Sequence, residues 1–281
     1  YLCSMKQQID YIISQLHGYY ADEELRELAY WIVEECTGMT RTEILIGCKD
    51  TKKIVHAQEI ERILQKLRAN EPIQYVFGHT EWLGLDLRVT PATLIPRPET
   101  AELVEWILHV ADRDKQLRVV DIGTGSGCIA ISLALEGYKL SAMDISEDAL
   151  SIATKNANNL GAEISFIHEN ILQPSPCLDK WDIIVSNPPY VCASEANNMR
   201  FNVLMHEPHI ALFVPDSDPL IFYRAIVSYA LSHLNPGGWI CLEINQAFPD
   251  KITQLLTSFG FKEPIIINDQ YGKNRIAYAQ L

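Results

Sequence analysis

From residue 117 onward, short apolar runs alternate with stretches at helical spacing, and this alternation restricts the chain more than any other feature of it. Residues 117–122, 140–145, 164–168, 181–185, 239–244, 261–268 and 275–281 read as strands. Residues 128–135, 147–160, 219–234 (behind Asp218) and 252–259 read as helices. Repeated strand–helix–strand units close into a mostly parallel sheet with helices on both faces, so the expected class is α/β.

Two turns at strand ends carry residues suited to chemistry. Val119-Val120-Asp121-Ile122 runs into Gly123-Thr124-Gly125-Ser126-Gly127 and then a helix. Glycines there let the backbone turn tightly and let a ligand approach it. The spacing is Gly-x-Gly-x-Gly, whereas a dinucleotide site needs Gly-x-Gly-x-x-Gly, which disfavours an NAD-dependent oxidoreductase. Asp121, just before the turn, suits a cationic or amine-bearing ligand better than a pyrophosphate. Asp144, closing the next strand, has the chemistry to hold both hydroxyls of a ribose. A purely structural turn is the alternative.

The second turn is Ser186-Asn187-Pro188-Pro189-Tyr190, after the strand at 181–185. Each proline removes a ladder donor and fixes φ, so the chain must leave the sheet. The turn then offers carbonyl oxygens and one side-chain amide to a ligand rich in N–H donors, with Tyr190 as an aromatic face. Taken alone, Asn187-Pro188-Pro189-Tyr190 fits a strand-ending turn equally well. Together with a ribose site on neighbouring strands, they point to S-adenosylmethionine and methyl transfer to a nitrogen.

Composition narrows the class further. A length of 281 residues is enough for one large domain or for one plus a smaller one, and 48% hydrophobic content supports ordinary folded cores. The balance of 23 Lys and Arg against 36 Asp and Glu gives −13, which repels a phosphate backbone and disfavours bulk nucleic-acid binding while leaving a local site open; on the whole reading no direct nucleic-acid contact is expected. Apolar runs fall short of the roughly 18 residues that span a bilayer. No signal-peptide succession opens the sequence, and the seven scattered cysteines (Cys3, Cys36, Cys48, Cys128, Cys177, Cys192, Cys241) form no Cys-x-x-Cys pair. The expectation is a reduced, cytoplasmic protein without a metal or membrane segment.

Before residue 70, apolar residues recur at helical spacing in 5–17, in 23–36 behind Asp22 as N-cap, and at Ile60, Ile63, Leu64 and Leu67. Thr40-Arg41-Thr42-Glu43 matches a capping box. These residues form a small helical bundle, for packing support or for docking a partner. Residues 73–78 and 85–89 read as two strands of a hairpin around Gly84, and Pro98 opens a further helix. The expected division is a helical domain at 1–70, a β-hairpin linker at 71–98 and a catalytic domain at 99–281.

These features resemble the Rossmann-like S-adenosylmethionine-dependent methyltransferases, and Asn187-Pro188-Pro189-Tyr190 matches the amino-methylating motif of that class. The chain is similar, over nearly its whole length, to the peptide-chain release-factor glutamine methyltransferases. Residues 71–75, 90–100 (with Ile95-Pro96-Arg97-Pro98-Glu99-Thr100 the most specific), His206-Glu207-Pro208 and 271–275 carry that likeness, although Asn268-Asp269-Gln270-Tyr271 departs from the usual pattern. The resemblance implies a seven-stranded sheet with an antiparallel last strand, a helical N-terminal domain that docks the release factor, and methylation of the glutamine amide in a Gly-Gly-Gln loop. The enzyme is expected to act as a monomer and to release S-adenosylhomocysteine.

Roles follow by position. Asp121, Gly123, Thr124, Gly125, Ser126, Gly127, Asp144, Asn170, Ile171 and Asn187 are the expected cofactor residues, with Asn170 and Ile171 beside the adenine. Asn187, Pro188 and Tyr190 are the expected catalytic residues, and Asn187, Pro188, Pro189 and Tyr190 the substrate contacts. The rival enzyme is a nucleic-acid methyltransferase acting on adenine N6 or guanine N2, since the same turn accepts a base NH2. A non-catalytic module docking on the translation machinery is the rival of a different kind.

Overall fold

The computed structural model describes residues 4–46, 55–111 and 116–281; Cys3 and Cys48 lie outside them. Contacts divide the chain into one compact unit up to Gly78 that includes Phe201–His206, and a second formed by His79–Arg200 and Glu207–Leu281.

The first unit consists of the helices Met5–Leu16, Asp22–Thr37, Arg41–Ile46, Ala57–Arg68 and Ile73–Phe77 with the short helix Phe201–His206. Ile12, Leu16, Ile32, Val33, Ile60, Leu64 and Leu67 are fully buried in its core. The Thr40 box is present: Glu43 N donates to Thr40 Oγ1 at 3.3 Å and Thr40 N to Glu43 Oε2 at 2.8 Å. Asp22 is not a cap. Ala21 holds that position, and Asp22 joins Glu23 and Glu24 in the first turn, where negative charge favours the helix dipole.

Residues 73–77, expected as a strand, form a helix. Pro72 sets the entry with φ −56°, and Gly78 closes the exit in the left-handed region at φ 80°, its N–H donating to Gln74 O at 2.7 Å. A five-residue apolar run carries no period that separates helix from strand. The hairpin therefore begins later, pairing His79–Trp82 with Leu85–Arg88.

The second unit is built on seven strands, numbered here within their sheet: β1 Arg118–Ile122, β2 Lys139–Asp144, β3 Ile164–His168, β4 Trp181–Ser186, β5 Leu234–Glu243, β6 Lys262–Asn268 and β7 Asn274–Gln280. Their order is β6-β7-β5-β4-β1-β2-β3, with β1 to β5 pairing in parallel and β7 antiparallel to both neighbours. Residues 235–238, which precede the strand expected at 239–244, lie inside β5 at a register shift opposite Trp181 and Ile183.

Alternation along each inner strand feeds two cores. Val119, Ile183, Val185 and Cys241 face one, with Leu103, Val104 and Ile107 of the helix Pro98–Val110 and Ile129 and Leu133 of the helix Cys128–Leu135. Val120, Ile122, Ile184, Ile240 and Leu242 face the other, with Tyr223, Ile226 and Val227 of the helix Ile221–His233 and Ile252 and Leu256 of the helix Pro249–Ser258. Strands buried on both faces read as unbroken apolar runs, which is why the sequence reveals them. Among the described residues no helix is long and apolar enough to cross a membrane, and Cys36, Cys128, Cys177, Cys192 and Cys241 are free thiols.

Candidate active site

The strand order reverses between β1 and β4, and a ligand site in such a sheet lies beyond the carboxyl ends of the strands at that point. Ile122 pairs with Ser186, so the glycine turn and the Asn-Pro-Pro turn leave the sheet side by side. Ser186 Oγ fastens them by donating to Ile122 O at 2.6 Å. On the other side of β1, Gly123 N and Thr124 N donate to Met143 O at 2.8 and 3.0 Å, which fixes the turn against β2.

A cavity of about 270 Å³ opens there. Gly123 to Ser126, Asp144, Asn170, Ile171, Asn187, Pro188 and Pro189 line it, so residues from four strand ends meet in one space. Three other expected residues do not. Gly127 sits behind the wall, Asp121 is fully buried, and Tyr190 turns its hydroxyl away to Glu243 at 2.8 Å.

Gly127 shows how closely the loop is held. Its φ of +84° lies in the left-handed region, and an added Cβ would meet Ala153 Cβ and Ile131 Cδ1 at 3.1 Å each. Gly127→Ala is therefore expected to destabilise the protein by about 1–3 kcal/mol. Urea unfolding checks this; an unchanged midpoint would mean that neither strain nor crowding acts there. Asn156, on the helix Glu147–Leu160, supports the loop from behind, its buried Nδ2 donating to Ser126 O at 2.8 Å and to Arg88 O at 3.0 Å.

Asp144 keeps its carboxylate at the cavity by accepting from Gly125 N and Ser146 N, both at 2.9 Å. Burial raises its pKa while those backbone donors oppose the shift. Each oxygen retains a lone pair, so the group can still accept from two adjacent hydroxyls. Asn170 is held in an Asx turn, Oδ1 accepting from Leu172 N at 3.0 Å.

Asp121 does not reach the ligand space. Its Oδ2 accepts from Thr124 Oγ1 at 2.7 Å and Oδ1 has no partner among the described residues, so Thr124 presents the wall in its place. Burial, above all, pushes its carboxyl up to about 7. In the unfolded chain the group loses its proton near the ordinary value of roughly 3.9. The folded protein thus binds the extra proton between those values, and stability falls as pH rises through the window. Asp121→Asn, which keeps an acceptor for Thr124, is expected to flatten that decline. Urea unfolding of both proteins from about pH 4 to 7 measures it, and parallel curves would contradict it.

The expectation that Tyr190 lies flat on a substrate fails for a physical reason. A buried phenol needs a partner, and Glu243 on β5 supplies a carboxyl oxygen. The ring packs on the apolar cluster of β1, β4 and β5, and burial with the neighbouring carboxylate holds the phenol well above its ordinary pKa. Glu207 and Arg97, both in segments that carry the family likeness, form an ion pair: the Glu207 side chain is buried, its Oε2 accepting from Ile95 N at 3.1 Å, while Arg97 lines the cavity.

Sequence reasoning missed Thr100 and Glu243 as site residues. Asn187 Nδ2 donates to Thr100 Oγ1 at 3.0 Å, and Thr100 Oγ1 donates to Glu243 Oε2 at 2.6 Å. The available signal was a carboxylate closing the apolar run Trp239-Ile240-Cys241-Leu242, where an unpaired charge is too costly to keep. Burial raises the Glu243 pKa, opposed by its bonds from Thr100 and Tyr190 and by the Arg275 charge.

Comparison with known proteins places this geometry in context. Residues 7–78 match the family model "PrmC N-terminal domain" and residues 103–213 match "Methyltransferase small domain". A release factor glutamine methyltransferase of Bacteroides thetaiotaomicron is 43% identical over 272 residues, covering 96% of this chain and 97% of its own. One from Flavobacterium psychrophilum is 40% identical, covering 94% of each chain. Among solved structures, a methyltransferase from Pyrococcus furiosus aligns with a TM-score of 0.52 at 18% identity, over 80% of this chain and 98% of that one. The Thermus thermophilus 16S rRNA N2 G1207 methyltransferase, in complex with AdoMet and guanosine, gives 0.54 at 18%, over 72% and 49%. These two likenesses concern the fold.

Proposed function

Because this chain belongs to the release factor glutamine methyltransferase family, we propose that it transfers the methyl group of S-adenosylmethionine to the side-chain amide nitrogen of the glutamine in a Gly-Gly-Gln loop of translation release factors. The observation that carries this reading is the shared cavity: an acceptor turn, Asn187 to Pro189, and a glycine turn with a strand-end carboxylate, Asp144, line the same space. The fit to the cofactor rests on Asp144, which lines the cavity and keeps open lone pairs beyond its bonds from Gly125 N and Ser146 N.

When bound, the cofactor would supply an electrophilic methyl group, giving up the bond from its sulfur to that methyl and leaving as S-adenosylhomocysteine. An amide nitrogen is a poor nucleophile because its lone pair is delocalised into the carbonyl, so orientation is most of what the protein contributes. Asn187 Oδ1 and the Pro188 carbonyl accept the two N–H bonds of the substrate amide and aim its nitrogen. The same oxygens stabilise the positive charge that grows on nitrogen as the new N–C bond forms. The alkylated nitrogen is acidic and gives its proton to water or a carbonyl, so the scheme needs no general base.

The helical unit up to Gly78 is read as the docking element for the release factor, the enzyme as a monomer, and the cytoplasm as its place of action. Nucleic acid is not a substrate in this reading, in keeping with the −13 charge. A label-transfer assay with full-length release factor, transfer RNA and ribosomal RNA side by side tests it. Label on the release factor alone is expected; label on RNA alone overturns the proposal.

A further inference from the structure

A single buried carboxylate holds both ends of the acceptor turn. Glu243 Oε1 accepts from Tyr190 OH at 2.8 Å, and Oε2 accepts from Thr100 Oγ1 at 2.6 Å. Glu243 is 1% exposed and Thr100 is 2% exposed, so water does not substitute for either bond. Thr100, on the first turn of the helix Pro98–Val110, then takes the amide of Asn187.

The direction of this relay follows from proton counting. The Arg275 charge and the bonds from Tyr190 and Thr100 favour the carboxylate form of Glu243 against its burial; that form has no hydrogen to give, so the one hydroxyl hydrogen of Thr100 is committed to Glu243. The Thr100 oxygen can then only accept, and the group facing it must be the NH2 of Asn187. The carbonyl oxygen of Asn187 is left for the cavity that Asn187 lines. The two ends of an asparagine amide have nearly the same shape, so packing alone does not choose between them. We propose that Glu243 and Thr100 are positioning residues that fix the polarity of the Asn187 amide, so that the site presents an acceptor and not a donor to its substrate. This rests on the reading of the turn as the seat of a substrate NH2. It makes the relay a specificity device: an amide NH2 is received, and the carboxylate of a glutamate meets an oxygen.

Three variants of the full chain separate this role from packing. Thr100→Val keeps the shape and removes the relay. Thr100→Ser keeps the hydroxyl. Glu243→Gln retains an oxygen for Tyr190 and turns an NH2 towards Thr100, which frees the Thr100 hydrogen to point at Asn187 and reverses its amide. Steady-state kinetics on a release factor, with cofactor affinity by calorimetry, should show kcat down by on the order of tenfold or more for Thr100→Val and Glu243→Gln, cofactor Kd within about twofold, and most of the loss recovered in Thr100→Ser. Wild-type kcat in Thr100→Val, or no recovery in Thr100→Ser, would overturn the proposal.

A measurement without substrate keeps the two readings apart. The side-chain NH2 of Asn187, assigned by its disappearance in Asn187→Ala, should give protected amide signals in wild type and lose that protection in Thr100→Val. Protection lost in this way while wild type labels no release factor would sink the substrate and leave the relay standing. Equal exchange in both proteins would sink the relay.

Discussion

Asn187→Ala is expected to lower kcat on a release factor by on the order of 10²–10³-fold, with a much smaller change in affinity for S-adenosylmethionine. The size follows from what the residue does. Its side chain supplies one of two acceptors that aim a weakly nucleophilic nitrogen, and misplacing a reacting atom by about an ångström already costs on the order of a hundredfold. The fold should survive, because Asn187 is only partly buried and, among the described residues, its side chain bonds to Thr100 alone. Single-turnover kinetics at saturating cofactor isolate the chemical step. A kcat near that of the wild type in a folded Asn187→Ala protein would mean that the amide does not orient the substrate.

Asp144→Ala should act on the cofactor instead. Two hydrogen bonds from hydroxyls to a carboxylate are worth about 1.5–3 kcal/mol each before losses, so a net weakening of roughly 2–4 kcal/mol, or thirty- to several-hundred-fold in Kd, is expected. The same carboxylate also anchors Gly125 N and Ser146 N, so part of the loss arises from a loosened glycine loop. Asp144→Asn separates the two contributions, since its single oxygen still accepts from one of those backbone donors. Calorimetric titration with S-adenosylmethionine reads both, and an unchanged Kd in Asp144→Ala would remove the ribose role.

What the sequence made legible was local. The strands β1 to β5 stand out as apolar runs because they are buried on both faces, and the helices 128–135 and 147–160 coincide with their observed bounds. Gly123 to Gly127, Asp144 and Asn187 to Pro189 could be singled out because their residue types are poor choices for anything but a special turn or a ligand. What lay hidden was non-local. Thr100 and Glu243 are 143 residues apart and meet only because β4 and β5 are neighbours and the helix Pro98–Val110 packs against β5. Tyr190 was misread for the same reason: nothing in Pro189-Tyr190-Val191 says which side of the turn the ring takes, and a carboxylate from another strand decides it. The helix Ile73–Phe77 escaped because a turn and a half has no periodicity to detect.

The central claim is that the cavity seats the side-chain amide of a release-factor glutamine beside a methyl donor. Peptide mass spectrometry of a release factor incubated with the wild-type enzyme and S-adenosylmethionine tests it most directly. The account predicts one added methyl, localised by fragmentation to the side chain of the loop glutamine, and none after incubation with Asn187→Ala at matched concentration and time. A methyl found on any other residue, or an unmodified release factor beside a methylated nucleic acid, would contradict it.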